Sequence, residues 1–162
     1  MHTEICAQSD HLGPALHCTS HEIRRELDAR IAARIDPELT GMRGLALNYI
    51  VRCNALGGDV YQRDIETRFH IRRSSVTALL QGMEQSGLIT RCPVAQDARL
   101  KKLVATPRGQ DCCRRIVAEI DRFEAQLRRG LDDADIAQFH AVLQKLLDNL
   151  HGMEKERGQE ET

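Results

Sequence analysis

Apolar residues in the first third of the chain recur at the spacing of amphipathic helices. One stripe predicts a helix from Ala15 to the Asp36-Pro37 pair, and another predicts a helix that begins near Thr40-Gly41 and stops at Gly57-Gly58. The stripe positions are Leu16, Ile23, Leu27, Ile31 and Ile35, then Leu45, Leu47, Ile50 and Val51.

The middle of the chain changes from helical to strand periodicity. A short helix is predicted from about Tyr61 to Phe69, followed by a longer one that stops at Ser86-Gly87. The inward positions of the longer helix are Val76, Leu79, Leu80 and Met83. Two predicted strands come next, Leu88–Cys92 and Lys101–Thr106, and the polar loop 93–99 between them is long enough to project from the body.

The last third predicts two more helices with wide apolar faces. Pro107 suits the first turn of one, which runs to Gly130, and Asp132 or Asp133 can cap the other. The apolar positions of the last helix are Ile136, Phe139, Val142, Leu143, Leu146, Leu147 and Leu150. These faces are wide for a chain of 162 residues, so we expect a second copy to cover them across a twofold axis. Aromatic residues make up only 3%, which favours an aliphatic, mainly helical core.

The formal net charge of −1 hides an uneven distribution. The stretch from Arg63 to Gly109 holds nine Lys/Arg and four Asp/Glu, so its local charge is +5 and that of the remainder is −6. A compact basic middle in an otherwise acidic chain is typical of a protein that meets a polyanion on one face.

The sequence lacks the signals of secretion, membrane insertion and catalysis. No apolar run near the N-terminus can serve as a signal peptide, and no stretch approaches the ~18 apolar residues of a membrane span. We therefore expect a soluble cytoplasmic protein whose six cysteines, at positions 6, 18, 53, 92, 112 and 113, are free thiols. No nucleophile elbow, phosphate-cradling glycine loop or zinc-protease spacing is present, so we predict no enzymatic activity and no cofactor.

A short helix, a tight turn at His70-Ile71, a longer helix and a hairpin follow the order of a winged helix-turn-helix. In that arrangement the second helix enters the major groove of DNA and the hairpin reaches the backbone or the minor groove. We predict that this helix contacts DNA through Arg72, Arg73, Ser74, Ser75, Thr77 and Gln81. Arg and Gln suit base edges, and Ser and Thr suit bases or phosphates. Lys101 and Lys102 on the second strand complete the predicted contacts.

Arg72 and Arg73 stand where a cation opposes the helix dipole, at a cost of ~0.3–1 kcal/mol. Two adjacent arginines at a helix start make sense when phosphate is the intended neighbour, because the amides and both guanidiniums then converge on one anion.

Three short motifs occur together in this region: residues 73–77 (RSSVT), residues 87–91 (GLITR), and Asp97-Ala-Arg99 followed by Ala105-Thr106 and Gly109. In this combination the chain resembles the MarR-type transcriptional regulators. The resemblance covers roughly residues 15 to 150, because the flanking helices also match the family's order.

The resemblance implies a homodimer whose terminal helices interlock and which binds one palindromic double-stranded DNA operator. It implies that Arg99 enters the minor groove, that Asp97 orients it, and that a small-molecule effector of unknown identity releases the protein. We therefore expect a sequence-specific transcriptional regulator, acting as a repressor. Residues 39–107 would form the winged helix-turn-helix domain, 15–38 and 108–151 a helical dimerisation region, and 1–14 and 152–162 flexible termini.

Three alternatives remain open from the residues alone. His17, Cys18 and His21 have a spacing that can hold a metal ion on a helix, and the vicinal Cys112-Cys113 pair can respond to thiol-reactive compounds. Either would make the chain a metal or redox sensor of the same fold. The third alternative is a dimeric protein-interaction module whose basic middle binds an acidic partner rather than DNA.

Overall fold

The computed structural model describes residues 11–94 and 97–160, which form six α-helices and a small sheet. In chain order the elements are α1 Leu12–Arg34, α2 Met42–Ala55, β1 Val60–Tyr61, α3 Gln62–Phe69, α4 Arg73–Gln85, β2 Ile89–Val94, β3 Asp97–Ala105, α5 Pro107–Leu127 and α6 Asp133–Glu160. A 3-10 turn at Pro37–Leu39 links α1 to α2. The mainly α fold with a β-hairpin is therefore confirmed. The chain divides into two compact units, residues 1–123 and 124–162.

The core of the first unit is aliphatic and lies where α2, α3, α4 and the sheet meet. Its fully buried members include Leu47, Ile50, Ile65, Leu80, Leu88, Ile89 and Leu103. On α4 the predicted inward residues Val76, Leu80 and Met83 are buried, and Leu79 is half-buried. The 3.6-residue period therefore identified the inner face of α4 from sequence.

The sheet is antiparallel, with β3 between β1 and β2. Val60 pairs with Leu103, and Ile89 pairs with Ala105. The hairpin is longer than predicted, because Val94 already pairs with Asp97, so most of the expected loop 93–99 is strand. The polar character of residues 93–99 predicted a loop. Pro93 has no amide to donate to the ladder, and the register is irregular between Pro93 and Val94.

The junction of the hairpin with α5 is held by Thr106 and Gly109. The Thr106 hydroxyl accepts a hydrogen bond from the Gly109 amide at 3.0 Å and donates one to the Gly87 carbonyl at 2.6 Å. A Cβ atom on Gly109 would lie 2.1 Å from the Leu88 carbonyl oxygen, so only glycine permits this approach of helix to strand. Thr106 and Gly109 of the third sequence motif thus have a packing role.

A buried carboxylate joins α1 to α5. Glu119 is 1% exposed, and its oxygens accept hydrogen bonds from Arg34 at 2.9 Å and from Arg122 at 3.0 Å. Burial alone would raise the pKa of Glu119, but the hydrogen bonds and charges of the two arginines outweigh it and hold the pKa below its usual value.

The second unit contains α6, whose start is capped reciprocally. Asp132 accepts from the Asp135 amide at 2.8 Å, and Asp135 accepts from the Asp132 amide at 3.1 Å. The helix continues to Glu160, where the sequence analysis expected a flexible tail from residue 152. Opposite charges one turn apart, as at Glu154 and Arg157, favour helix in this polar stretch.

The N-terminal boundary also differs from the prediction. α1 begins at Leu12, inside the segment 1–14 expected to be flexible, and residues 1–10 lie outside the described part of the chain. None of the described helices combines the length and the apolar character needed to span a membrane.

Candidate nucleic-acid interface

A left-handed residue makes the turn between α3 and α4. His70 has φ 51° and ψ 43°, and the amide of Ile71 donates back to the Glu66 carbonyl at 3.2 Å. The Gln62 side-chain amide then joins the two helices by donating to Glu66 and to the Thr77 hydroxyl, both at 2.9 Å. The tilt of α4 against α3 is therefore fixed by side-chain bonds as well as by the turn.

Most of the predicted DNA-contacting residues of α4 are exposed. Arg73, Ser74, Ser75 and Gln81 are exposed, and the exposed Arg72 occupies the N-cap without a capping side-chain bond. The amides of the first turn and the two guanidiniums are thus open to solvent at the same helix end.

Thr77 differs from its neighbours. It is half-buried, and its hydroxyl donates to the Arg73 carbonyl at 2.9 Å while accepting from Gln62. Both hydrogen-bonding functions of the hydroxyl are used inside the helix pair, so Thr77 is better placed to position α4 than to read a base. The sequence pattern missed this because the partner, Gln62, lies on another helix.

The two lysines predicted on the hairpin point to opposite faces, as residues adjacent in a strand do. Lys101 is exposed, whereas Lys102 is half-buried with its Nζ 3.2 Å from an Asp59 carboxylate oxygen. Asp97 and Arg99 belong to β3, but their side chains lie outside the described part of the structure. Their predicted roles in the minor groove stay predictions.

Sequence reasoning missed a polar cleft of about 310 Å³ between α3, α4 and the hairpin, here called the wing cleft. Its charged lining residues are Arg63, Glu66, Arg73, Arg91 and Lys101. Four cations therefore face one carboxylate. Because Arg91 pairs with the buried Leu103 across the strands, the two-residue alternation of β2 would have placed Arg91 on the inner face.

A second, mostly apolar pocket of about 380 Å³ lies between α1, α2 and α5. We call it the helical pocket. Its apolar lining residues are Ile23, Leu27, Ile31, Leu39, Met42, Leu45, Ile116 and Ile120. Arg24, Asp28 and Asn48 supply polar groups, and Asp28 already accepts a hydrogen bond from the Gly41 amide at 2.8 Å. This volume suits a small organic molecule.

The candidate metal and thiol sites are not assembled in the described residues. His17 and His21 are exposed, and no group of three or more His, Cys, Asp or Glu is placed to hold a metal ion there. Cys18 is disulfide-bonded, so the expectation that every thiol is free is wrong, because spacing alone does not show which thiols a fold brings together.

The vicinal Cys112-Cys113 pair on α5 is free but buried. Burial raises the pKa of Cys113, which disfavours the reactive thiolate. This environment gives no support to a redox sensor built on the pair.

In this chain α3 and α4 form a helix-turn-helix, the start of α4 is basic and exposed, and a hairpin follows. This arrangement defines a winged helix-turn-helix protein of the DNA-binding class. A model of the MarR family matches residues 38–100, which contain the turn, α4 and most of the hairpin. This match agrees with the resemblance to MarR-type transcriptional regulators that the sequence motifs indicated.

Solved structures share this architecture over nearly their full length. The chain is similar to MepR, a transcription regulator of the Staphylococcus aureus multidrug efflux pump MepA, with 25% identity, a TM-score of 0.71 and coverage of 86% of this chain and 98% of that one. The transcriptional regulator PA3341 gives 29% identity, a TM-score of 0.68 and coverage of 88% and 99%. MarR from Oenococcus oeni gives 28% identity, a TM-score of 0.62 and coverage of 85% and 99%. MepR has also been crystallised in complex with DNA.

Proposed function

We propose that this chain is a homodimeric, sequence-specific regulator of transcription that acts as a repressor and is released from DNA by a small molecule. The observation that carries the proposal is the exposed basic end of α4, where Arg72 and Arg73 lie beside the hairpin that carries Lys101. Exposed cations at a helix start match a phosphate backbone, and the same helix offers Gln81 to base edges.

Contacts of three kinds are assigned within this surface. Arg73 and Gln81 lie on the exposed side of α4 and are assigned to base reading in the major groove, together with Ser74 and Ser75. Arg72 and Lys101 are assigned to phosphates, which position the protein without reading sequence. Arg99 is assigned to the minor groove and Asp97 to its orientation, on the strength of the family resemblance.

Dimerisation is supported by the apolar surface that the single chain leaves open. No described residue of α6 is buried, and Phe139, Leu147 and Leu150 are each about half exposed. α1 carries a similar exposed residue, Leu12. Exposed apolar surface on this scale marks an interface, and a second copy would cover it through a twofold axis.

The helical pocket supports release by an effector. It is bounded by α1 and α5, which belong to the predicted dimerisation region, and by α2, which belongs to the predicted DNA-binding domain. A small, largely apolar molecule that binds there would favour one spacing of the two reading helices over another. Spacings that miss successive major grooves, ~34 Å apart, release DNA, and a differential affinity of a few kcal/mol is enough.

The test begins with selection of binding sequences from a random duplex library by the purified wild-type protein. Enrichment of a palindrome is expected. Arg73→Ala should then cost ~1–3 kcal/mol on the selected duplex and relax the base preference, whereas Lys101→Ala should weaken selected and mixed-sequence duplexes alike. Arg114→Ala, which removes an exposed cation from α5, serves as the charge-matched control.

Two results would contradict the proposal. Selection without enrichment, combined with salt-labile binding to any polyanion, would favour the protein-interaction module instead. Equal losses for Arg73→Ala on selected and mixed duplexes would remove Arg73 from base reading.

A further inference from the structure

Arg91 lines the wing cleft, and two of its guanidinium nitrogens have no hydrogen-bond partner among the described residues. Its side chain is only 18% exposed, and among the described residues its Nε and Nη2 are buried without a hydrogen-bond partner. A buried donor without a hydrogen-bond partner destabilises the folded protein. A guanidinium in this state therefore indicates a partner that binds from outside.

The nearest carboxylate does not satisfy Arg91. Glu84 on α4 lies 3.3 Å from Nε, close enough for an ion pair, but it forms no hydrogen bond with that nitrogen. Glu66, the carboxylate that lines the cleft, already accepts a hydrogen bond from Gln62 at 2.9 Å. Glu84 and Asp64 pair with Arg91 and Arg63, at 3.3 and 3.9 Å, so among the described residues Arg73 and Lys101 are the cleft cations without a carboxylate partner.

Like charges surround the unused donors. Arg73 enters the cleft from the start of α4, and Lys101 enters from β3, two residues along the same sheet face from Leu103, the strand partner of Arg91. Arg63 lines the α3 side, with its guanidinium 5.5 Å from the Tyr61 ring centre. Cations held together in a partly buried cleft repel each other unless an anion joins them.

We propose that the wing cleft is an oxyanion seat that takes one backbone phosphate of DNA, with Arg91 and Lys101 as its donors, while Arg73 at its edge keeps the base-reading role proposed above. The proposal rests on the DNA binding proposed above and adds Arg91 to the contacts. Because Arg91 belongs to β2 and Lys101 to β3, a phosphate in this seat bonds to both strands of the hairpin, beside the start of the reading helix.

The first experiment measures the salt dependence of binding to a mixed-sequence duplex, which needs no knowledge of the operator. The plot of log K against log salt has a negative slope. Loss of one phosphate contact makes this slope shallower by about 0.9 per site. Arg91→Gln is expected to show this decrease, whereas Arg114→Gln, which removes an exposed charge outside the cleft, should leave the slope close to the wild-type value.

The variant Glu84→Gln distinguishes phosphate binding by Arg91 from a purely structural role of Arg91. If Arg91 serves to bind phosphate, removal of its carboxylate neighbour frees the guanidinium, and DNA affinity should rise severalfold. If Arg91 serves only to pair with Glu84, both substitutions should lower the melting temperature alike and leave the salt slope unchanged. The second result would overturn the proposal.

A second experiment locates the phosphate. Single neutral methylphosphonate linkages are placed along the selected duplex, and one position is expected to weaken the wild-type protein but not Arg91→Gln. Titration with inorganic phosphate alone tests the other source of the same chemistry. Binding of free phosphate that depends on Arg91, with an unchanged DNA salt slope, would overturn the assignment to DNA.

The two proposals fail in different ways. If the wild-type protein selects no sequence, the proposed function fails, while the slope on mixed-sequence DNA still decides whether the cleft takes a phosphate. If selection succeeds and Arg91→Gln keeps the wild-type slope, the seat fails alone.

Discussion

Substitution of Gly109 by alanine tests the close approach between α5 and the hairpin root. The added Cβ would lie 2.1 Å from the Leu88 carbonyl oxygen, so the helix must move by about 0.9 Å to reach 3.0 Å, the lower limit that real Cβ contacts respect. That movement also strains two hydrogen bonds, the one from the Gly109 amide to the Thr106 hydroxyl and the one from the Thr106 hydroxyl to the Gly87 carbonyl.

The expected size of the effect follows from these contacts. Overpacking costs about 1–3 kcal/mol and a strained hydrogen bond about 1 kcal/mol more, while alanine in a helix returns up to about 1 kcal/mol. We expect a net loss of about 2 kcal/mol, which for a chain of this size lowers the melting temperature by roughly 4–8 °C. Thermal unfolding followed by circular dichroism, at one fixed protein concentration, measures it.

Two other helical glycines supply internal controls. At Gly13 nothing lies within 4 Å of an added Cβ, so Gly13→Ala should leave stability unchanged or raise it slightly. At Gly82 the Cβ would meet the end of the flexible Arg43 side chain, which can swing away, so the loss should be smaller than at Gly109. Equal stability of Gly109→Ala and Gly13→Ala would refute the packing described at the hairpin root.

Three further predictions concern other parts of the chain. Glu119→Gln should lower the free energy of unfolding by about 1–2 kcal/mol at neutral pH, since its arginine partners are more than half exposed. Because the folded-state pKa of Glu119 is lowered, this difference should be present above the unfolded pKa of ~4.3 and shrink as the pH falls through the folded value, as denaturant titrations at several pH values would show. Phe139→Asp on α6 should produce monomers in sedimentation experiments, whereas Leu56→Asp, at a residue 88% exposed, should not. Asn54→Ala should speed hydrogen exchange at the Ala105 amide, which donates to the Asn54 side chain at 3.0 Å; unchanged exchange would mean that this bond does not protect the strand.

The helices were predictable because local signals act within one element. The apolar spacing of α4 gave its inner face, Pro107 gave the start of α5, and Asp132 gave the cap of α6. The left-handed turn fell at His70, inside the predicted pair His70-Ile71. In each case the deciding interaction joins residues only a few positions apart.

The missed features depend on partners far along the chain. β1 has only two residues, and Val60 becomes a strand residue only because it pairs with Leu103. Thr77 looks like a base-reading residue until Gln62 is placed beside it. The sequence showed Arg91 only as part of a family motif. The pairing of Arg91 with Leu103 across the sheet is what places its side chain in the wing cleft.

The uneven construction of the hairpin has a mechanical consequence. Its base is tied to α5 through Thr106. Further out, Lys101 pairs with Pro93, which has no amide to donate, and the register is irregular between Pro93 and Val94. The hairpin is therefore held more firmly where it joins the body than at the Pro93 position of the ladder.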